Sequence, residues 1–292
     1  MACNLCPRMC QINREEQEGY CGCTNKIKVS RCAKHYFEEP ILEGTKGSGA
    51  IFFSGCNLKC KFCQNYTISQ ENFGKYIEID ELANLFLKLQ QQDALNINLV
   101  TPTSYVNQII KAIKLARTKG LHLPIIYNTS SYENIDTIKR LKDYINIYLP
   151  DLKYFDDEIA IKYSNAPHYF KYASSAIEEM IKQAPLSFDK DGNLLTGVIV
   201  RHLILPGHVE DSKKILKYLY ETYHDEIYIS IMNQYTPIRE IKEYKNLNRT
   251  LTNHEYNEVI EYAISLGISQ AFIQEEGTQK TSFIPPFDLE GV

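Results

Sequence analysis

The sequence predicts an α/β fold in which strands and helices alternate along most of the chain. Short apolar runs recur from residue 50 onward, and most are followed by a segment whose apolar residues repeat at helical spacing. Strands and helices that alternate in this way form parallel sheets with right-handed crossovers. These observations leave two architectures open, a doubly wound open sheet and a full or partial barrel.

The predicted strands and helices follow one another from residue 50 to residue 274. Apolar runs predict strands at 50–54, 96–100, 124–128, 145–149, 197–205, 227–232 and 271–274. Helical periodicity predicts helices at 79–91, 104–118, 133–143, 156–163, 170–184, 211–223 and 253–266. Functional residues of parallel sheets and barrels gather at the carboxyl ends of strands, so the residues that follow each strand are candidates for a site.

We divide the chain into three predicted regions. Residues 1–48 form a cysteine-rich N-terminal segment with little apolar periodicity, so we expect a bound metal to organise it. Residues 49–274 form the α/β core. Residues 275–292 form a turn-rich, apolar tail, which we expect to act as a lid over the functional site.

Composition argues against two classes of partner, without excluding a local basic patch. The 292 residues carry 32 basic and 36 acidic side chains, a net charge of −4, which argues against a broad nucleic-acid or membrane surface. The N-terminal residues lack the apolar run of a signal peptide, and no stretch is apolar enough to span a membrane. We therefore expect a cytoplasmic protein with no nucleic-acid or membrane partner.

The nine cysteines all lie at the N-terminal end of the sequence. They are Cys3, Cys6, Cys10, Cys21, Cys23, Cys32, Cys56, Cys60 and Cys63. Their odd number and the expected reducing compartment argue against a disulfide framework. Reduced thiols clustered in this way point to metal or redox chemistry.

Three of these cysteines directly follow the first predicted strand. Cys56, Cys60 and Cys63 have the spacing CxxxCxxC, and Phe62 precedes the last of them. A 4Fe-4S cluster normally takes four thiolates, so three leave one iron open to S-adenosylmethionine (SAM), whose reductive cleavage gives a 5′-deoxyadenosyl radical. The alternative, a zinc site, needs a fourth ligand, and no cysteine follows residue 63.

The sequence resembles the radical SAM superfamily, and within it the PflX-like group related to pyruvate formate-lyase activating enzymes. The segments that carry the resemblance are CNLCPRMC (3–10), GYCG (19–22), HYFEEP (35–40), GSGAIFFSGCNLKCKFCQN (47–65), NINLVTPTS (96–104), YLPDLKY (148–154), VRHLILPG (200–207), MNQYTP (232–237) and FIPPFDLEGV (283–292). The resemblance implies a partial (β/α)6 barrel of TIM type with the cluster at its carboxyl-terminal mouth. It also implies anaerobic oxidoreductase chemistry.

The resemblance assigns cofactor-binding residues to the strand ends. They are Thr101, Thr103, Asn128, Asp151, Lys153 and Arg201. Thr101 and Thr103 stand where activating enzymes carry a Gly-Gly-Glu segment that binds the SAM amino group, and this segment is absent here. Asp151 and Lys153 match an Asp-x-Lys motif beside the cofactor. Arg201 either pairs with the cofactor carboxylate or forms a salt bridge that closes the barrel.

Several other polar residues carry alternative interpretations. His202 alternates to the opposite face from Arg201, so we expect a structural histidine. Gln234 and Tyr235 end a strand and are expected to face substrate. His35 and the pair Glu38–Glu39 either support the cluster or cap and solvate a helix.

The remaining cysteines suggest a second metal site. The resemblance favours Cys3, Cys6, Cys10 and Cys21 as its ligands, and their types fit either zinc or a second iron–sulfur cluster. Cys23 and Cys32 receive no role.

Two functional hypotheses follow. The first is a radical SAM enzyme that takes hydrogen from an unknown substrate, which is a protein glycine, as in activation of a glycyl-radical enzyme, a peptide or a small molecule. It needs a flavodoxin- or ferredoxin-type reductant. The second is a non-catalytic iron–sulfur or zinc protein that binds a partner or transfers electrons.

Overall fold

A computed structural model of the chain describes residues 2–274 and 284–292. Its strands are β1 (Ile27–His35), β2 (Ser48–Phe53), β3 (Lys75–Ile77), β4 (Ile97–Val100), β5 (Ile125–Thr129), β6 (Ile147–Pro150), β7 (Ser187–Phe188), β8 (Leu194–Leu203), β9 (Tyr228–Met232) and β10 (Ala271–Ile273). Its α-helices are α1 (Pro40–Glu43), α2 (Tyr66–Ser69), α3 (Ile79–Gln91), α4 (Val106–Thr118), α5 (Ile135–Lys139), α6 (Asp157–Ser164), α7 (Tyr169–Gln183), α8 (Val209–Tyr223) and α9 (Asn253–Leu266).

The main sheet is a partial (β/α)6 barrel. Its strands lie in the order β10-β9-β8-β6-β5-β4-β2-β1-β3, and every pair from β10 to β2 is parallel. Helices α3, α4, α5, α7, α8 and α9 each lie between consecutive parallel strands in the chain. The predicted fold class is therefore confirmed, and of the two architectures the partial barrel is the one observed. Within the described residues, no helix is long and apolar enough to cross a membrane.

Strands β1 and β3 were not predicted from the sequence. β1 pairs antiparallel with β2 and β3 pairs antiparallel with β1, so both extend the barrel sheet at one edge. The sequence of β1, IKVSRCAKH, mixes charged and apolar residues because only one face of the strand is buried. The predicted N-terminal segment thus contributes a strand to the same sheet as the core.

Helix α5 is shorter than the predicted helix 133–143. It ends at Lys139, and the chain then turns through Asp143, whose φ is +72°. Apolar Leu141 and Ile145 are buried by this turn and extend the apolar periodicity past the end of the helix.

The amino-terminal end of the barrel is filled by α1. His35, the last residue of β1, pairs with Ser48, the first residue of β2, so the segment between them crosses this end. Leu42 of α1 packs among apolar residues of the barrel strands, and its carbonyl accepts a 2.7 Å hydrogen bond from Asn96 Nδ2. Those residues are Ile126, Ile147, Leu149, Leu194 and Ile199. This plug leaves the open space of the barrel at the carboxyl ends of the strands.

His202 has the structural role that its alternation predicted. Its side chain is buried, with Nδ1 2.7 Å from the Leu152 carbonyl and Nε2 2.8 Å from Ser212 Oγ. Because a carbonyl only accepts, Nδ1 carries the proton of a neutral ring. Burial lowers the pKa of His202 to about 4.

We expect the buried His202 to make folding sensitive to acid. As the pH falls from the ordinary histidine value of 6.5 toward 4, the unfolded chain binds a proton that the folded chain excludes, so stability is lost. This shift corresponds to about 3 kcal/mol. The unfolding free energies of the wild type and of His202→Gln are measured in urea at about pH 7.5 and about pH 4. Over this range the wild type should lose about 3 kcal/mol more of its unfolding free energy than the variant loses. A constant difference would contradict a neutral buried ring.

Candidate active site

One cavity of about 390 Å³ opens at the carboxyl ends of the parallel strands. Its lining includes all three cysteines of the CxxxCxxC loop together with Thr101, Asn128, Asp151, Lys153 and Arg201. The predicted substrate residues Gln234 and Tyr235 also line it. The barrel topology brings these residues together, because they lie in or just after six neighbouring parallel strands, β2, β4, β5, β6, β8 and β9.

Each of the three thiols of the loop has a hydrogen-bonding group beside it. Cys56 Sγ accepts a 3.4 Å bond from the Leu58 amide, and Ser164 Oγ donates to Cys60 Sγ at 2.9 Å. Cys63 Sγ lies 3.2 Å from Ser69 Oγ. Donors placed around sulfur stabilise the thiolate form that ligates iron or zinc.

Burial and charge act in opposite directions on these thiols. Burial raises the pKa of all three, that of Cys60 to about 11, whereas the Lys153 ammonium lowers each of them. A buried lysine beside three cysteines favours an anionic ligand set when metal replaces the protons. Across residues 2–274 and 284–292, no group of three or more His, Cys, Asp or Glu side chains is spaced to hold a metal ion. The fit of a cluster therefore rests on the donor chemistry of the loop.

Lys153 and Asp151 form an ion pair on the cavity wall. Lys153 Nζ donates to Asp151 Oδ2 at 2.6 Å, and both side chains are largely buried. Burial disfavours the Lys153 ammonium, but the adjacent Asp151 carboxylate outweighs burial and raises the pKa of Lys153. The Tyr169 hydroxyl accepts from the Lys153 amide at 3.0 Å and lies 2.8 Å from the Ser130 carbonyl and 3.0 Å from the Asp151 carbonyl, which holds the Asp-x-Lys backbone in place.

Arg201 pairs with two glutamates at the floor of the cavity. Its Nε donates to Glu39 Oε1 at 2.8 Å, and its Nη2 donates to Glu39 Oε2 at 2.6 Å and also to Glu38. The structure thus shows the salt bridge that was one of the two interpretations of Arg201. A role toward a cofactor carboxylate stays a prediction.

Glu38 and Glu39 neither cap α1 with their side chains nor face solvent. Glu39 is the residue before α1, but its carboxylate is committed to Arg201 and is only 6% exposed. Burial would raise the pKa of Glu39, yet the Arg201 guanidinium outweighs burial and lowers it. Of the two interpretations of this pair, capping and solvating a helix is wrong, because the chain carries the two carboxylates into the barrel interior. Support of a cluster by this pair stays a prediction.

Thr103 is not brought to the cavity with the other predicted cofactor residues. Its side chain is buried, and Oγ1 donates to Glu133 Oε1 at 2.6 Å. The same oxygen accepts bonds from Thr129 and Tyr127, and burial raises the pKa of Glu133 to about 7. A buried carboxylate needs such donors, so Thr103 turns toward Glu133 instead of the cavity. No sequence signal marks Glu133, which lies directly before Asn134, the residue that precedes helix α5.

Thr101 adopts an unusual backbone conformation at the cavity. Its φ is +60°, in the left-handed region that β-branched residues rarely occupy, and its amide donates to the Asn128 carbonyl at 2.9 Å. Strained residues of this kind cluster at functional sites.

Gln234 and Tyr235, which follow β9 in the cavity wall, are held by hydrogen bonds to backbone carbonyls. The Tyr235 hydroxyl donates to the Leu247 carbonyl at 2.7 Å, and its ring centroid lies 5.7 Å from that of Phe62. Gln64 donates to the Gln234 carbonyl at 2.8 Å. The Tyr235 ring therefore packs on the cysteine loop, whereas the hydroxyl is committed away from the cavity.

Of the N-terminal cysteines, Cys21 and Cys23 lie against Gly55, the residue before the cysteine loop, and all nine cysteines are free thiols. A Cβ at Gly19 would be 3.5 Å from Cys21 Sγ and 3.7 Å from Cys10 Sγ, so these two thiols are neighbours. Arg8 Nε donates to the Asn57 carbonyl at 2.9 Å. Cys23, to which the sequence assigns no role, packs directly on Gly55. A metal at Cys3, Cys6, Cys10 and Cys21 stays a prediction.

Gly55, the residue before Cys56, has no room for a side chain. Its φ is +82°, and a Cβ would stand 2.0 Å from Cys23 Sγ and 2.8 Å from the Cys21 carbonyl. Gly192 has nearly the same φ, +83°, but a Cβ built there would have no other atom within 4 Å. Gly192 therefore matches the backbone conformation of Gly55 without the steric overlap.

We expect Gly55→Ala to destabilise the protein by several kcal/mol and Gly192→Ala by about 1 kcal/mol, measured as urea unfolding free energies. The extra cost at Gly55 arises from displacing Cys23 and the Cys21 backbone. Equal costs for the two variants would show that the N-terminal segment does not pack on the cysteine loop as described.

The fold and the cavity together define an α/β partial-barrel protein with a three-cysteine loop after its first parallel strand. The chain belongs to the radical SAM superfamily, whose family model matches residues 50–219. An uncharacterized protein of Methanocaldococcus jannaschii, MJ0674, is 31% identical over 274 residues, which cover 89% of this chain and 74% of that protein. A putative glycyl-radical enzyme activating enzyme of the same organism, MJ1227, is 30% identical over 104 residues, which cover 35% of this chain and 42% of that protein.

The fold is also similar to that of a solved structure. Streptococcus suis SuiB bound to S-adenosylmethionine matches with a TM-score of 0.51 and 13% identity, over 76% of this chain and 48% of that chain. This chain therefore spans about half the length of SuiB, and the likeness concerns the fold alone.

Proposed function

We propose that this chain reductively cleaves SAM and uses the resulting 5′-deoxyadenosyl radical to take a hydrogen atom from a polypeptide substrate. The observation that carries the proposal is the convergence of the CxxxCxxC thiols and the Asp151–Lys153 pair on one cavity at the strand ends. Membership of the radical SAM superfamily supports the use of SAM.

The residues of the chain have distinct tasks in this proposal. Cys56, Cys60 and Cys63 would hold a 4Fe-4S cluster, which when bound supplies the electron for cleaving the sulfonium C–S bond. Lys153 offsets the negative charge of the thiolates from a buried position. The Thr101 and Asn128 side chains offer uncharged acceptors for the SAM amino group and ribose, in place of the missing Gly-Gly-Glu segment.

The size of the cavity favours a polypeptide substrate over a bulky low-molecular-weight substrate. Its volume of about 390 Å³ is near the lower end of the range for ligand pockets, roughly 300–1,000 Å³. The cavity has to take SAM as well as the reacting part of the substrate, so we infer that the substrate enters it with only a few atoms, as an extended peptide can. The name of the relative MJ1227, a putative activating enzyme for glycyl-radical enzymes, is consistent with a polypeptide substrate.

Isotope transfer tests this proposal even while the substrate is unidentified. An extract of cells grown in deuterated medium is separated into polypeptide and small-molecule fractions, and each is incubated with reconstituted protein, SAM and dithionite under anaerobic conditions. We expect deuterium in 5′-deoxyadenosine only with the polypeptide fraction, detected by mass spectrometry. Transfer from the small-molecule fraction alone would contradict the substrate class, whereas the amount of 5′-deoxyadenosine reports SAM cleavage separately.

A further inference from the structure

A second cavity, of about 550 Å³, lies on the outer side of the cysteine loop. Four basic side chains and two tyrosines dominate its lining: Lys59, Lys61, Lys162, Arg239, Tyr20 and Tyr66. Glu240 and Glu243 also contribute, which leaves an excess of positive charge. We call this surface the basic groove. It stands out because the chain as a whole has a net charge of −4.

The basic groove and the active-site cavity share one wall, the cysteine loop. Lys59 and Lys61 flank Cys60, whose side chain lines the active-site cavity, while both lysines line the groove. Gln70 Nε2, from the groove, donates to the Cys60 carbonyl at 3.0 Å. The Lys59 amide donates a hydrogen bond to the Ser164 carbonyl at 3.1 Å, and the Lys61 amide donates one to the Tyr163 carbonyl at 2.8 Å. A single layer of peptide backbone therefore separates the groove from the Cys60 thiol.

The contacts of the basic side chains leave their charges available. Lys59 Nζ lies 5.4 Å from the Tyr20 ring centroid, and Arg239 Cζ lies 3.7 Å from that of Tyr66. Arg239 Nη2 also donates to the Lys61 carbonyl at 2.9 Å. Aromatic rings and carbonyls orient cations without neutralising them. These contacts hold the cations at the groove, where they attract an acidic partner.

We propose that the basic groove docks an acidic one-electron donor protein, of the flavin or iron–sulfur type. The inference rests on the proposed function, because reductive cleavage of SAM consumes one electron from outside the chain. In the docked complex, the donor loses one electron and the cluster site gains it through the shared cysteine loop. Since the groove lies on the other side of this loop from the cavity, the donor can deliver its electron without displacing SAM or substrate.

Charge reversal at two exposed groove residues tests the docking surface. Lys162, on α6, and Lys61 are both exposed and have no part in the cofactor cavity. Lys111, exposed on α4 and outside the groove, provides a matched control. The double variant Lys61→Glu/Lys162→Glu and the single variant Lys111→Glu are each reconstituted as holoenzyme, and 5′-deoxyadenosine formation is measured with reduced flavodoxin and, separately, with dithionite.

We expect the combined Lys61→Glu and Lys162→Glu substitutions to lower the flavodoxin-driven rate at low donor concentration by at least about tenfold. The dithionite-driven rate should stay within about twofold, and Lys111→Glu should leave both rates unchanged. Added salt should slow the flavodoxin-driven reaction of the wild type more steeply than that of the variant.

Two results would overturn the docking proposal. One is a flavodoxin-driven rate that the groove variants do not change. The other is an equal loss with flavodoxin and dithionite, which would mean that the lysines act on the cysteine loop itself. Failure of the proposed function is distinguishable, because the wild type would then form no 5′-deoxyadenosine even with dithionite.

Discussion

Cys60→Ala is expected to reduce both iron binding at the cysteine loop and 5′-deoxyadenosine formation to background. Cys60 is the middle thiol of the loop, is nearly fully buried, and accepts a bond from Ser164 at the base of the active-site cavity. With two thiols left, the loop cannot hold three irons of a cluster and leave the fourth for SAM. The decrease in iron content relative to the wild type after anaerobic reconstitution measures the first loss, and product formation with dithionite measures the second.

Cys32→Ala is the matched control for this prediction. Cys32 is similarly buried, but it lies in β1, where it pairs with Ile51 of β2 and does not line the cavity. We expect this variant to keep iron at the cysteine loop and activity close to wild type. If Cys60→Ala retained activity, the assignment of the cluster to this loop would be wrong.

Arg201→Met is expected to lower the free energy of unfolding by about 3–5 kcal/mol. The substitution leaves Glu38 and Glu39 buried without their cation, and an unpaired buried charge costs far more than the loss of an exposed ion pair. Urea unfolding at neutral pH measures the change.

Two further variants test whether the loss of stability in Arg201→Met comes from the unpaired buried carboxylates. Lys182→Met breaks the exposed Lys182–Glu178 pair and should leave the urea midpoint unchanged. Adding Glu38→Gln and Glu39→Gln to Arg201→Met should restore much of the lost stability, because no uncompensated charge then remains. A small effect of Arg201→Met alone would contradict the buried ion cluster at the cavity floor.

The sequence could predict the barrel strands and the candidate site because both depend on local patterns. Buried parallel strands are apolar on both faces, so NINLV and GVIVRHLIL are recognisable whatever their neighbours in the sheet are. Thr101, Asn128 and Asp151 could be placed together because parallel strands end at the same edge of the sheet.

Features that depend on distant contacts could not be predicted in this way. Glu38 and Glu39 stand in a polar segment, and their partner Arg201 is more than half the chain away. Thr103 was assigned to the site by its place after β4, but a buried carboxylate at Glu133 competes for its hydroxyl. Strand β1 was missed because half of its residues are polar, as the partly exposed strand next to the barrel requires.

The measurement that tests the central claim most directly is product analysis of the wild-type protein. The chain is reconstituted anaerobically with iron and sulfide, mixed with SAM and reduced with dithionite. We expect 5′-deoxyadenosine and methionine in equal amounts, dependent on both reductant and iron. A protein that carries the reduced cluster and yet forms neither product would contradict SAM cleavage and would support a non-catalytic electron-transfer or metal-binding protein.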